Sequence, residues 1–109
     1  MNALENRQRA LSLLDEYEPL LSSAQQDFAV SYFRYDLSLG EIAEAHNISR
    51  AAVSDALKKA LAKLEDYEEK LGLAKRRKEM LGLLEKAEQA PKEEKLNAYE
   101  ELGRYIHGI

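Results

Sequence analysis

Apolar residues recur along this chain at spacings of three, four and seven, which is the period of an amphipathic α-helix. The first such segment spans roughly residues 3 to 17 and ends before Pro19, because the residue preceding a proline avoids helical geometry. Its apolar face comprises Ala3, Leu4, Ala10, Leu11, Leu14 and Tyr17. Ser22 and Ser23 are candidate N-caps of a second helix, about 24 to 35. Its apolar face comprises Phe28, Ala29, Tyr32 and Phe33.

A short third helix is predicted to follow Ser38 and to end near His46. Ser38 and Glu41 have the spacing of a capping box, in which each residue satisfies the backbone N–H of the other. Asn47 tolerates the left-handed conformation that ends a helix sharply, and Ser49 is suited to cap the helix that follows. The inward residues of this third helix are predicted to be Leu39, Ile42 and Ala43.

The longest apolar pattern begins after Arg50, with steps of four and three that resemble a heptad seam. This seam comprises Val53, Leu57, Ala60, Leu64, Tyr67 and Leu71. Gly72 predicts a break, and a fifth helix then ends before Pro91, with Leu73, Met80, Leu81, Leu84 and Ala87 inward. A final helix is predicted over 92–106, with an apolar stripe of Leu96, Tyr99, Leu102 and Ile106. No strand-like alternation of useful length occurs, so the predicted fold class is all-α.

Residues 38–57 have the pattern of a helix-turn-helix, in which a short helix and a tight turn precede a recognition helix. We expect Ile42, Ile48, Val53 and Leu57 to fill the wedge between the two helices, and Ala43 and Ala52 to let them cross closely. In such units the first turns of the second helix enter a major groove. The face presented there comprises Ser49, Arg50, Ala51, Ser54, Asp55, Lys58 and Lys59.

Charge complicates a nucleic-acid function. The net charge is −4, with a pI near 5.3, whereas affinity for phosphate comes from concentrated Lys and Arg. Two local regions are nevertheless basic. One is the recognition helix, and the other is the run Lys75, Arg76, Arg77 and Lys78. Clustered Lys and Arg residues in this run could bind RNA phosphates. The alternative is a solvated helix face, because four consecutive residues spread around a helix instead of lining one side. An acidic run follows in the fourth helix, and we expect its carboxylates to pair with Lys63 and Lys70 of the same helix rather than with a basic protein partner. The run comprises Glu65, Asp66, Glu68 and Glu69.

At 109 residues the chain is expected to form a single helical domain, with the helix-turn-helix core at 20–64 and a helical extension at 65–109. It contains no cysteine, and its polar start lacks the apolar stretch of a signal peptide or a membrane span, so a cytoplasmic location is expected. His46 and His107 are far apart in the sequence, and neither is accompanied by the further ligand residues that a metal site needs. No catalytic group, metal or cofactor is predicted, because the carboxylates have no phosphate loop or nucleophile beside them.

The residues that flank the helix-turn-helix carry a resemblance to a known family. Residues 38–57 are similar to region 4 of bacterial sigma factors. With Leu20-Leu-Ser-Ser-Ala-Gln-Gln before them and Leu64-Glu-Asp-Tyr-Glu-Glu-Lys-Leu71 after them, the layout resembles the YlxM-like family of bacterial helix-turn-helix proteins over about residues 10–90. The chain departs from that family at Asn47, where glycine is frequent, and the segment from Pro91 does not align.

The resemblance implies a non-enzymatic accessory of the signal recognition particle pathway, which would bind the particle's GTPase or its RNA. The alternative is a transcriptional regulator that reads duplex DNA with the helix-turn-helix, and a third option is a scaffold that binds only protein. The nucleic-acid contacts are predicted to be Ser49, Arg50, Ser54, Lys58, Lys59 and the run Lys75–Lys78. The long apolar seam further predicts a homodimer mediated by Tyr67, Leu71, Tyr99, Leu102 and Ile106.

Overall fold

A computed structural model describes residues 3–108 of the chain, with side chains from Arg7 onward. Across these residues the chain forms α-helices and no strand, which confirms the all-α prediction. The helices are α1 (Ala3–Tyr17), α2 (Ser23–Ala29), α3 (Leu39–His46), α4 (Arg50–Leu71), α5 (Leu73–Gln89) and α6 (Lys92–His107). No helix of this described part is long and apolar enough to cross a membrane.

The second helix differs from its prediction because it widens before it ends. After Ala29 the backbone continues as a π-helical turn, Val30–Arg34, and the N–H of Tyr35 donates to the carbonyl oxygen of Val30 at 3.1 Å. Arg7 of α1 donates from Nε to the Phe33 carbonyl oxygen at 2.9 Å, which satisfies one acceptor at this helix end. Phe33 is buried as predicted, whereas Tyr32 is exposed.

The chain divides into two compact units, Met1–Gly72 and Leu73–Ile109. The first unit holds α1 to α4, and the second holds α5 and α6. The division falls at Gly72, where α4 ends in the left-handed conformation with φ 63°. The expectation that the two units form a single domain stays a prediction.

The core of the first unit forms where α1, α2 and α3 pack against α4. The seam of α4 is buried as predicted from Val53 to Leu64. On α1 the buried side chains are Ala10, Leu13, Leu14 and Tyr17. Leu13 was not predicted, and the predicted Leu11 is only half-buried. The predicted inward positions of Ala3 and Leu4 lie outside the described side chains.

Polar contacts fasten the second half of α4 to α1. Tyr17, fully buried, donates its hydroxyl to Oε1 of the buried Glu68 at 2.6 Å. Arg9 donates to both carboxylate oxygens of Glu65, at 2.9 and 2.7 Å. These hydrogen bonds hold the pKa of the Glu65 carboxyl below its ordinary value and raise the pKa of Arg9.

The acidic run is therefore engaged within the first unit. Asp66 accepts from Lys70, one of the two lysines that the sequence nominated. The partners Arg9 and Tyr17 were not predicted from the sequence, because they lie more than fifty residues away along the chain. Tyr67 also faces inward in part, since its hydroxyl donates to the Leu20 carbonyl oxygen at 3.3 Å.

In the second unit, α5 and α6 pack through small residues. The buried side chains there are Ala74, Ala87 and Ala98. The residues predicted to point inward are instead largely exposed, namely Leu73, Leu81, Leu96, Tyr99 and Ile106. Ala98 and the half-buried Leu102 and Tyr105 form the inward face of α6, so the helix is rotated relative to the predicted stripe. Lys95 donates to the carbonyl oxygens of Ala87 and Glu88 at the end of α5.

Candidate nucleic-acid interface

The turn of the helix-turn-helix has the predicted backbone geometry. Ser38 and Glu41 form the capping box at the start of α3, and the hydrogen bond from the Ser38 N–H lowers the pKa of the Glu41 carboxyl. Asn47 adopts the left-handed conformation, with φ 55° and ψ 46°. The N–H of Ile48 then donates to the Ala43 carbonyl oxygen at 3.0 Å, which closes the turn. Ser49 caps α4 by accepting from the Ala52 N–H at 3.0 Å.

The wedge between α3 and α4 is filled by fewer residues than predicted. Ile42, Val53 and Leu57 are buried, as expected. Ile48 remains 40% exposed and Ala52 is exposed, so neither belongs to the wedge. The turn itself is closed by the backbone hydrogen bonds that Asn47 and Ile48 donate. At the end of α3, the ring centroid of His46 lies 4.7 Å from that of Phe28.

The contact residues that were predicted on the helix-turn-helix lie at the N-cap and in the N-terminal half of α4. Ser54 is half-buried, and the exposed members of this set are Ser49, Arg50, Ala51, Asp55, Lys58 and Lys59. Asp55 forms an ion pair with Lys59 at 3.0 Å, one helical turn along the same face. The one carboxylate of this surface is thus paired with one of its cations. We call this set the α4 face.

Arg50 has a contact that sequence reasoning missed. Its guanidinium lies against the backbone of Gly40, near the start of α3. Among the described side chains, Arg50 and Lys58 form no ion pair with a carboxylate. Gly40 lies within a helix where no turn requires glycine, but Gly82 and Gly103 do so as well, so the sequence alone did not single out this contact.

The second basic run lies in the other unit, on the first turns of α5. Lys75, Arg76, Arg77 and Lys78 are all exposed. Arg76 lies over the ring of Tyr105, 5.8 Å from its centroid, and donates to the Ile106 carbonyl oxygen at 3.5 Å. Tyr105 donates its hydroxyl to Glu79, and this hydrogen bond raises the pKa of the phenol. At least Arg76 therefore has a role in joining α5 to α6.

The residues predicted to mediate a dimer differ in exposure. Leu71, Tyr99 and Ile106 are 55%, 46% and 49% exposed. Leu102 and Tyr67 are half-buried, and Tyr67 packs its ring 5.9 Å from that of Tyr17 in the same chain. Among the side chains that the structure describes, no group of three or more His, Asp or Glu residues is placed to hold a metal ion.

Comparison with known proteins finds relatives that span nearly the whole chain. The sequence model of the family UPF0122, described as "Putative helix-turn-helix protein, YlxM / p13 like", matches residues 4–102. The UPF0122 protein YlxM of Bacillus subtilis is 45% identical over 95 residues, 84% of this chain and 86% of its own length. A UPF0122 protein of Bacillus velezensis is 46% identical over 100 residues, 88% of this chain and 91% of its own.

A more distant relative extends the match further along the chain. A UPF0122 protein of Bacillus cereus is 41% identical over 106 residues, which cover 97% of this chain and 96% of its own. The similarity thus includes residues from both units. It also reaches beyond Pro91 into α6, a segment that the sequence resemblance had left unaligned.

Proposed function

Because the chain belongs to the UPF0122 family of helix-turn-helix proteins, we propose that it is a non-enzymatic regulatory accessory of the signal recognition particle pathway. In this proposal it acts by binding the particle's RNA or its GTPase. The pathway rests on the resemblance described above, which includes the acidic segment Leu64 to Leu71. The mode of action rests on the α4 face.

The exposed α4 face is the observation that carries the binding proposal. Arg50, the first residue of the long helix α4, and Lys58, further along it, present their charge without a carboxylate partner among the described side chains. The N-terminal end of a helix carries partial positive charge and favours an anion. A phosphate group of a nucleic acid, or an acidic patch of a protein, matches this arrangement.

The same face supports base reading in a major groove less well. Arg50 is the only long hydrogen-bond donor in the first turn of α4, and Ala51 beside it offers only a methyl group. Ser54 is half-buried, and Asp55 would lie near a phosphate that it repels. Duplex DNA is nevertheless the second candidate. Helix-turn-helix units bind DNA by placing an exposed recognition helix in the major groove, and this chain has both the turn geometry and the exposed helix.

A titration at two salt concentrations tests the proposal. The protein is titrated with the particle's RNA, with its GTPase and with mixed-sequence duplex DNA. We expect binding to the RNA that weakens as salt rises, or binding to the GTPase that persists at high salt, and no tight binding to the duplex. Tight duplex binding that is lost in Arg50→Ala and Lys58→Ala would establish DNA as the partner. Binding to none of the three would leave a scaffold for other proteins.

Substitutions on the α4 face should shift RNA affinity in both directions. Arg50→Ala and Lys58→Ala should weaken binding and each lower the salt slope by about one. Asp55→Asn should strengthen binding, because it removes a negative charge and releases Lys59. Asp66→Asn is a matched control, since Asp66 pairs with Lys70 at 2.9 Å in the same i,i+4 geometry further along α4. It should leave RNA affinity unchanged.

A further inference from the structure

Gly40 stands at the second position of α3, where its backbone conformation does not require glycine. The glycines with positive φ in the described residues are Gly72 and Gly108, so any residue could adopt the helical backbone at position 40. Glycine is also less favourable than alanine within a helix, since it loses more conformational freedom on folding. Its presence there points to a need for space rather than for backbone freedom.

The space beside Gly40 is taken by the side chain of Arg50. A Cβ atom placed on Gly40 would lie 3.0 Å from Nη2, 3.1 Å from Nε and 3.2 Å from Cζ of Arg50. These separations are tighter than ordinary van der Waals contacts, so with alanine at this position the guanidinium would have to shift by a few tenths of an ångström. The helical glycines Gly82 and Gly103 of the second unit differ, because nothing lies within 4 Å of a Cβ built on either of them.

We propose that Gly40 is a positioning residue, which holds the guanidinium of Arg50 across the start of α3 so that it can bind a phosphate of an RNA backbone. This inference rests on the proposed function. A long side chain loses rotamer entropy when it binds, and a guanidinium that already lies beside a helix backbone loses less. The donors of Arg50 also stay available, since it has no carboxylate partner among the described side chains.

The contact predicts that Gly40→Ala weakens RNA binding without lowering the free energy of unfolding. The atoms that must move are the far end of a flexible, exposed side chain, so the displacement itself costs little. Alanine has the higher helix propensity, so the variant should be at least as stable as the wild type. Its affinity for RNA should nevertheless fall. A purely structural role for Gly40 would produce the opposite relation, with stability and affinity lost together.

The test compares four proteins: the wild type, Gly40→Ala, Arg50→Ala and the double variant, each titrated with the particle's RNA. Gly40→Ala should weaken binding by about two- to tenfold, which corresponds to ordering one long side chain. The double variant should bind no more weakly than Arg50→Ala alone, because both act through one guanidinium. Gly82→Ala is the matched control and should raise stability without changing affinity.

A second measurement examines the free protein. ¹⁵N relaxation of the Arg50 Nε–Hε group should report an ordered side chain in the wild type and a mobile one in Gly40→Ala. Equal order in the two proteins, or additive losses of affinity in the double variant, would overturn the inference while leaving the RNA contact intact. If Arg50→Ala binds RNA like the wild type, the proposed phosphate contact itself fails. If the wild type binds duplex DNA and not the particle's RNA, RNA is overturned as the ligand.

Discussion

At the scale of single residues, Asn47 carries the backbone conformation on which the helix-turn-helix turn depends. It is one of two non-glycine residues with positive φ among those described, and the other is Asp36. The left-handed region places Cβ close to the following carbonyl oxygen, a clash that asparagine tolerates better than most residues. The hydrogen bond from Ile48 to Ala43 forms only when this residue turns the chain. A residue that resists the conformation should therefore loosen both helices.

We predict that Asn47→Ala lowers the free energy of unfolding by about 1 kcal/mol, whereas Asn47→Gly changes it by less than about 0.5 kcal/mol. Glycine relieves the clash but loses more entropy on folding, and the two effects oppose each other. Chemical denaturation measures both variants. Asn97→Ala, the same substitution at an exposed helical position of α6, should be neutral or slightly stabilising. An Asn47→Ala variant as stable as the wild type would contradict the argument.

At the scale of elements, the acidic segment Leu64 to Leu71 has a structural role, because its carboxylates bind side chains of α1. Glu68 accepts from the buried hydroxyl of Tyr17, and Glu65 is paired with Arg9, so this part of α4 is fastened to α1. Arg7 of α1 also donates to the end of the π-helical turn that follows α2. Through these contacts α1 joins the second half of α4 to the helices that precede the turn. This acidic segment is thus partly a docking site for α1.

Removing the Tyr17 hydroxyl tests this attachment. Tyr17→Phe keeps the ring in the core and leaves the buried carboxylate of Glu68 without one of its donors. A hydrogen bond to a charged group contributes more than a neutral one, so the variant should lose about 2 kcal/mol of unfolding free energy. Denaturant titration followed by circular dichroism measures it. Tyr35→Phe is the control, because Tyr35 is 71% exposed and should tolerate the change within about 0.5 kcal/mol.

Element boundaries were predictable because their signals are local. Ser38, Asn47, Ser49 and Gly72 mark helix ends through their own side chains or backbone preferences, and the structure has the α3 and α4 boundaries where these residues predicted them. The π-helical turn after Ala29 was not predictable in this way. Its widened hydrogen-bond register is accompanied by a contact from α1, and no periodicity in the sequence encodes a contact between distant segments.

The candidate site shows the same division between local and distant signals. The exposure of Arg50 and Lys58 followed from helical periodicity. The ion pair between Asp55 and Lys59 was also readable from their spacing of four residues. The contact between Arg50 and Gly40 was not, because it joins two helices across the turn. The exposure of Ile48 likewise depended on which groups close the turn.

At the scale of the whole molecule, the exposed apolar residues of α6 bear on the predicted homodimer. Leu96, Tyr99, Gly103 and Ile106 follow one another at steps of three and four, so they share one face of the helix. The inward face of α6 is formed by Ala98 and its neighbours instead. Within this stripe, Gly103 would let another backbone approach closely, since nothing lies within 4 Å of its Cβ position.

We predict that two copies of the chain associate through this stripe. Burial of exposed apolar area would drive the association, and a polar residue in the stripe would oppose it. Light scattering at micromolar concentration should give the mass of two chains for the wild type and of one chain for the double variant Tyr99→Ser with Ile106→Ser. Leu81→Ser removes an equally exposed apolar side chain from α5 and should leave the dimer intact. A wild-type mass of one chain would refute the homodimer, whereas loss of the dimer in Leu81→Ser would move the interface to α5.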